Sequence, residues 1–263
     1  MSRPGHRSPA SRSLLEHTCD KKRELGSLKV LLTNDDSIHA AGIQALKAAL
    51  RSSMDVVVVA PETEQSECGH RVTTNRPLAV KQYADAEYSV NGSPADCVRI
   101  GLRELARDAA LVISGINHGG NLGADIWMSG TVAAAREAYL RGQRGIAVSQ
   151  VRRKGIDDDW DRSARFACEA IQFAIGRSSK EVALWNINLP ATDAETIPGI
   201  CCCPTDGKAL PFSYRQTTVG YQFEADYHGR PRTPNEDIDV CFGGRISISL
   251  LDKRPVDLAS TPL

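Results

Sequence analysis

The chain has 263 residues, which is long enough for one α/β unit with an appended lobe and a substantial buried core. Basic and acidic residues number 32 each, so the overall charge provides no field that would attract nucleic acid or an acidic membrane surface. No uninterrupted apolar stretch reaches the roughly 18 residues of a membrane span, and residues 1–27 lack the hydrophobic centre of a secretory signal. We therefore expect a cytoplasmic protein without a nucleic-acid partner and without a membrane span.

Short apolar runs alternate with segments of helical periodicity between residues 28 and 189. Several of the runs are apolar on both faces, which is typical of parallel strands covered by helices. Strands are predicted at 28–33, 56–60, 111–114, 146–149 and 183–189. Helices are predicted at 41–52, 95–107, 132–141 and 160–175, and a β-hairpin at 78–90. This alternation predicts an α/β fold with a Rossmann-like, mostly parallel sheet and flanking helices.

The composition also predicts how the chain is divided. Beyond about residue 195 it shifts toward Pro, Gly and Thr, and the alternating segments 218–225 and 245–251 indicate hairpins rather than further βα units. We predict a smaller C-terminal β-hairpin lobe that serves substrate enclosure or oligomer contacts. The predicted units are a disordered extension at 1–27, an α/β catalytic core at 28–195 and a β-rich lobe at 196–263.

The eight cysteines are expected to be reduced, because the chain is long and lacks an export signal. The run Cys201–Cys203 lacks the paired spacing and the second cluster of a zinc site. We predict a buried or half-buried strand there.

Two adjacent aspartates, Asp35 and Asp36, come directly after the first apolar run. Neighbouring side chains of a strand point to opposite faces, so the two carboxylates converge only if the backbone leaves the extended form at this point. In open parallel sheets the pocket lies outside the carboxyl ends of the strands, where this pair would stand. The pair therefore indicates a metal site, with a solvated turn as the alternative.

Three further segments offer oxygen ligands or phosphate donors. Residues 61–70 follow the second strand, and the glycine-rich residues 114–123 follow the third. Their glycines allow close approach of backbone to a ligand, but the spacing matches neither the dinucleotide fingerprint nor the P-loop. The third segment, Ser129–Thr131, opens a helix whose free N–H groups attract an anion, with a plain helix cap as the alternative.

Together these motifs resemble those of the SurE family of metal-dependent nucleoside-monophosphate phosphatases. The order and spacing agree from about residue 28 to 150, and residues 237–239 and 245–248 extend the likeness weakly. No Gly-x-Ser-x-Gly elbow of a serine hydrolase is present. The motifs that carry the resemblance are Thr33–Ser37, Ala60–Ser66, Gly92–Cys97, Ser114–Asn121 and Ser129–Thr131.

The resemblance implies one divalent metal ion per subunit. Hard oxygen ligands suit Mg²⁺, Mn²⁺ or Ca²⁺. Cys68 and Cys97 are then expected to take no part in metal binding, and His70 and His118 are expected to form structural hydrogen bonds. The implied catalytic residues are Asp35 and Asp36, the implied metal ligands Asp35, Asp36, Ser66 and Asn117, and the implied phosphate-binding residues Asn121, Ser129, Gly130 and Thr131.

The function implied is hydrolysis of nucleoside 5′-monophosphates to nucleoside and phosphate, with a water activated by the metal attacking phosphorus. The alternative is a catalytically impaired nucleotide- or metal-binding regulator of the same fold. The resemblance also implies a homodimer, with a tetramer as the alternative. The family usually has Gly where this chain has Ser37, and a positive φ there would cost a non-glycine residue on the order of 1 kcal/mol.

Overall fold

A computed structural model describes residues 28–177 and 182–251, and the extension predicted at 1–27 lies outside these ranges. The chain forms eleven strands and five α-helices within them. The strands are β1 (Lys29–Thr33), β2 (Asp55–Pro61), β3 (Val80–Ala84), β4 (Glu87–Val90), β5 (Leu111–His118), β6 (Arg144–Gln150), β7 (Leu184–Leu189), β8 (Ile200–Cys202), β9 (Ser213–Thr217), β10 (Gly220–Glu224) and β11 (Ile246–Leu250). The helices are α1 (Ala41–Leu50), α2 (Pro94–Ile100), α3 (Gly130–Leu140), α4 (Trp160–Arg177) and α5 (Asp237–Phe242).

Nine strands form one sheet in the order β3-β4-β2-β1-β5-β6-β7-β11-β8. The six strands from β4 to β7 in this order run parallel, whereas β3 is antiparallel to β4 and β11 is antiparallel to β7. Strands β9 and β10 form a separate antiparallel hairpin. The predicted α/β class, the mostly parallel sheet and the small C-terminal hairpin are therefore confirmed.

Helices cover both faces of the sheet. Neighbouring side chains of a strand point to opposite faces, and in the central strands the side chains on both faces are apolar. Leu32 and Val58 belong to the core on the side of α1 and α4, where Phe166 is among the largest fully buried side chains. Leu31 and Val57 belong to the core on the side of α2 and α3. This double burial explains the apolar runs in the sequence. Because β1, β2, β5 and β6 run parallel, their carboxyl ends lie at one edge of the sheet.

Helix α2 begins with a reciprocal cap between Ser93 and Asp96. The Ser93 hydroxyl accepts a hydrogen bond from the Asp96 N–H at 3.1 Å, and the Asp96 carboxylate accepts one from the Ser93 N–H at 3.0 Å. This reciprocal capping satisfies two helix-end donors. The end of the helix differs from the predicted 95–107. The α-helix ends at Ile100 and a π-helical turn follows over Gly101–Leu105, a change of hydrogen-bond period that a hydrophobic pattern does not distinguish.

The segment 245–251 also differs from the prediction. It forms strand β11, but its neighbours are β7 and β8 of the main sheet rather than a hairpin partner. The reason is burial, because Ile246 and Ile248 join the core on the side of α1 and α4. The predicted strand at the triple cysteine is present as β8, which ends at Cys202; Cys201 is half-buried as predicted, whereas Cys202 is exposed because β8 lies at the edge of the sheet. The domain boundary near residue 195 remains a prediction, and two strands beyond it extend the core sheet.

None of the helices in the described ranges is long and apolar enough to cross a membrane. The seven cysteines in these ranges are free thiols. No group of three or more His, Cys, Asp or Glu side chains in the same ranges clusters as a metal site would. A metal site in this part of the chain therefore has to draw on other oxygen donors.

Candidate functional site

The aspartate pair lies where β1 ends, and each carboxylate is held by a different neighbouring segment. Asp35 is buried, and its Oδ1 accepts a hydrogen bond from the Thr131 hydroxyl at 2.6 Å. Asp36 is half-buried, and its Oδ2 accepts a hydrogen bond from the backbone N–H of His118 at 3.0 Å. The ends of β1 and β5 and the start of α3 thus meet at the two carboxylates.

Both carboxylates are electrostatically unfavourable in this position. The pKa of Asp35 is raised to about 6, mainly by burial; the hydrogen bond from Thr131 opposes the rise and the charge of Asp36 contributes to it. Burial also raises the pKa of Asp36, opposed by the His118 N–H, while the charge of Glu64 adds to the rise. Neither carboxylate forms an ion pair with a lysine or arginine of the described residues, and the positive charge that acts on the pair within these residues is that of the His118 ring, which lowers the pKa of Asp36. A bound dication would supply compensating charge, so the pair fits a divalent metal.

Helix α3 begins directly against Asp35. The Ser129 hydroxyl caps the helix by accepting the Val132 N–H at 3.0 Å. A Cβ added to Gly130 would lie 2.8 Å from Oδ2 of Asp35, so only glycine permits this approach of the helix to the carboxylate. The start of an α-helix carries free N–H groups and a partial positive charge. The structure therefore brings Ser129, Gly130 and Thr131 together with Asp35.

The other two expected metal ligands lie in the adjoining loops. Ser66 is exposed, and its hydroxyl donates to Glu64 at 2.6 Å rather than to either aspartate. Its loop is nevertheless held to the pair, because the Gln65 N–H donates to the Asp35 carbonyl at 2.7 Å. Asn117 donates through its Nδ2 to the Gly119 carbonyl at 2.7 Å, which leaves its Oδ1 without a hydrogen bond from the described residues. An amide oxygen of this kind is a suitable hard ligand.

Asn121 occupies the centre of a buried network. Its side-chain Nδ2 donates to Ser149 at 2.8 Å and lies 3.5 Å from the Thr131 hydroxyl, which in turn donates to Asp35. The predicted phosphate-binding residues Asn121 and Thr131 are thus neighbours. This chain of hydrogen bonds links the glycine-rich loop to the aspartate pair.

Two asparagines that the sequence reasoning missed hold the backbone of Asn121. Asn188 accepts the Asn121 N–H at 2.8 Å and donates to the Asn121 carbonyl at 3.0 Å, while Asn186 donates to the same carbonyl at 2.8 Å. Both are buried on strand β7. The sequence signal for them is that two asparagines alternate with apolar residues in a buried strand, because buried polar side chains require hydrogen-bond partners. We call Asn186 and Asn188 the asparagine clamp.

The C-terminal part of the chain also reaches the glycine-rich loop. The Tyr227 hydroxyl donates to the Gly120 carbonyl at 3.2 Å. Arg230, whose side chain is fully buried, forms a bidentate ion pair with Asp125, at 2.5 and 3.2 Å. Asp237 accepts the Gly123 N–H at 2.8 Å. Sequence reasoning identified none of these three contacts, because their partners lie more than a hundred residues away in the chain.

The remaining residues of interest have structural partners. The ring of His70 contacts Glu137 at 2.9 Å, and the ring of His118 contacts Asp158 at 3.1 Å. Ser37 has a φ of +93°, so the strained conformation considered for this position is present. The Asn34 side chain supports it by donating to the Ser37 carbonyl at 2.8 Å.

Comparison with known proteins agrees with this geometry. The family model described as Survival protein SurE matches residues 30–209. A putative 5′-nucleotidase from Nostoc sp. is 42% identical over 85% of this chain and 99% of its own length, and a 5′-nucleotidase SurE from Rhodospirillum rubrum is 42% identical over 67% of this chain and 70% of its own. The crystal structure of the SurE protein from Aquifex aeolicus superposes with a TM-score of 0.76 at 33% identity, covering 85% of this chain and 92% of that one. The chain belongs to the SurE family.

Proposed function

We propose that this protein is a 5′-nucleotidase that hydrolyses nucleoside 5′-monophosphates to nucleoside and phosphate in a reaction that depends on a divalent metal ion. The observation that carries the proposal is the meeting of two carboxylates that have no lysine or arginine partner among the described residues, Asp35 and Asp36, with the start of α3. The relatives named as 5′-nucleotidases, at about 40% identity over most of the chain, support the same reaction.

The proposed ligands of one Mg²⁺, Mn²⁺ or Ca²⁺ per subunit are Asp35, Asp36, Ser66 and Asn117. The excess negative charge of the aspartates and the available Oδ1 of Asn117 support this assignment. Such an ion, when bound, would stabilise charge on a phosphoryl oxygen and lower the pKa of water. The Ser66 hydroxyl donates its proton to Glu64, and the lone pairs of its oxygen are the proposed ligand atoms.

The residues of the chain itself are proposed to position and neutralise the phosphoryl group. N–H groups at the start of α3 and the hydroxyl of Ser129 would face the phosphoryl group and stabilise the charge that grows on its oxygens. Asn121 and Thr131 orient Asp35 through their shared hydrogen bonds. A carboxylate committed to a metal is a weak base, so Asp35 and Asp36 are proposed to act mainly by holding the ion.

We also propose a homodimer, with a tetramer as the alternative. The β9–β10 hairpin supports this, because its aromatic side chains are largely exposed in the single chain and an exposed apolar patch of this kind favours burial against a partner. The proposed C-terminal lobe would thus serve oligomer contacts as well as enclosure of the glycine-rich loop. The exposed hairpin residues are Phe212, Tyr214, Val219, Tyr221 and Phe223.

A cytoplasmic location is supported by the free thiols of the described cysteines.

A panel of substrates tests the function. Phosphate release from nucleoside 5′- and 3′-monophosphates should be measured with Mn²⁺, with Mg²⁺ and with excess EDTA. We expect release from the 5′-monophosphates with a metal, loss of activity in EDTA, and recovery when the metal is added back. Absence of release under every metal condition, combined with saturable nucleotide binding, would instead identify the regulatory alternative.

The close approach of α3 to Asp35 yields a second expected result. In Gly130→Ala the new Cβ would lie 2.8 Å from Oδ2 of Asp35 and must displace it. We expect phosphate release to fall at least tenfold, because small displacements of reacting groups are costly, and the free energy of unfolding to fall by about 1 to 3 kcal/mol, because the added methyl group is forced against buried atoms. Gly199→Ala is the matched control, since its added Cβ meets no described atom within 4 Å. Equal activity of the two variants would contradict the proposed role of this contact.

A further inference from the structure

A cavity of about 440 Å³ lies at the carboxyl ends of α2 and α3, away from the candidate site. Arg99 is in the last turn of α2, Arg103 is in the π-helical turn that follows it, and Arg141 comes directly after α3. Leu102 and Gln143 complete the lining. Since α3 has eleven residues, its length separates this cavity from the start of the helix by roughly 16 Å.

The guanidinium groups in the cavity are partly held in place by one buried carboxylate. Glu137, whose side chain is 4% exposed, pairs through Oε1 with Nε of Arg99 at 3.0 Å and with Nη2 of Arg141 at 2.7 Å. Arg103 has no ion-pair partner among the described residues. Two arginines therefore share one carboxylate and the third is unpaired, which leaves a net charge of about two positive units in a concave surface.

We propose that this cavity is a binding site for a small anion that carries linked phosphoryl groups. The planar guanidinium fork matches phosphate oxygens, and two of the three groups are already oriented by Glu137, so little side-chain entropy is lost on binding. A single phosphate satisfies fewer donors than three arginines provide. The volume lies within the range of ordinary small-ligand sites.

The site is separate from the catalytic one and does not depend on the proposed function. Arginines at the carboxyl ends of helices also stabilise the helix dipole, which would account for Arg99 and Arg141 without any ligand. Arg103 also lies in the last turn of its π-helical segment, but it has no ion-pair partner among the described residues, so its loss removes positive charge from the cavity without breaking a contact to Glu137. Arg103 is therefore the residue that distinguishes a ligand site from helix stabilisation.

Isothermal titration of the full chain tests the proposal, with inorganic triphosphate and ATP as separate probes at low ionic strength. Excess EDTA keeps metal from the candidate site, where the two aspartates repel anions. We expect saturable binding of one triphosphate per chain, weakened about tenfold in Arg103→Gln. Equal affinity for both probes identifies the phosphoryl chain itself as the ligand, whereas tighter binding of ATP assigns a contact between its nucleoside and the cavity wall.

Two control variants make the outcome decisive. Arg107→Gln removes the same charge four residues further on, but Arg107 pairs with Glu104 and does not line the cavity, so its affinity should stay within about twofold. Asp35→Asn should bind triphosphate as the wild-type protein does. Absence of saturable binding, an equal loss in the two arginine variants, or loss of binding in Asp35→Asn would each overturn the proposal without bearing on nucleotidase activity.

Discussion

Replacing Asp35 with asparagine is expected to abolish phosphate release and to stabilise the metal-free protein at the same time. Asparagine keeps an Oδ1 that can accept the Thr131 hydroxyl, so the shape and hydrogen bonding of the site are retained. It removes the charge that is proposed to hold the metal. We expect activity to fall roughly a thousandfold or more, the equivalent of several kcal/mol of transition-state stabilisation.

The gain in stability follows from the pKa of Asp35, which is ordinarily 3.8 and rises to about 6 in the folded protein because of burial. The folded state binds the proton more tightly, so the contribution of this group is fully present below pH 3.8 and is lost as pH rises through about 6. At neutral pH the loss is roughly 3 kcal/mol for metal-free wild-type protein. The asparagine side chain in Asp35→Asn does not ionise, and the variant should regain that amount.

Urea unfolding in EDTA, at pH values on both sides of 6, measures this effect together with a phosphate-release assay. The wild-type free energy of unfolding should decline across this range more steeply than that of Asp35→Asn. Adding Mn²⁺ should stabilise the wild-type protein and leave the variant nearly unchanged, because a ligand stabilises only the state that binds it. A variant that retains wild-type turnover, or that gains no stability at neutral pH, would contradict the assignment of Asp35.

The features predicted from the sequence are those that depend on local pattern. The apolar runs identified the central strands because both faces of the sheet are covered. Asp35 was assigned to a site because it follows β1, and pockets of parallel sheets lie at the carboxyl ends of their strands. The start of α3 was identified by Ser129, whose capping hydrogen bond is local to the helix. Each of these inferences uses residues that are close together in the chain.

The features that were missed depend on contacts between distant residues. Asn186 and Asn188 appear in the sequence only as polar positions in a strand, and the backbone they hold lies 65 and 67 residues away. Strand β11 was identified by its alternation, but its antiparallel partner β7 is set by burial of Ile246 and Ile248 in the core. Periodicity reports which face of an element is apolar and does not report which element that face meets.

The asparagine clamp is expected to affect catalysis more than its distance from the aspartates would indicate. In Asn188→Ala the buried N–H of Asn121 loses its acceptor, and in Asn186→Ala the Asn121 carbonyl still keeps the donor on Asn188. We expect Asn188→Ala to lower the free energy of unfolding by about 2 to 4 kcal/mol, with a smaller loss for Asn186→Ala.

Activity should follow the same order, because Asn121 and Thr131 connect the glycine-rich loop to Asp35 through hydrogen bonds. A displaced Asn121 would lower kcat about a hundredfold in Asn188→Ala while KM changes less, since the lost alignment acts mainly in the transition state. Gln150→Ala is the matched control. Its buried amide donates to three carbonyls near the ends of β6 and β7 and makes no hydrogen bond to the expected site residues, so stability should fall without a comparable fall in kcat. If Gln150→Ala and Asn188→Ala lose kcat equally at equal loss of stability, the clamp contributes to folding alone.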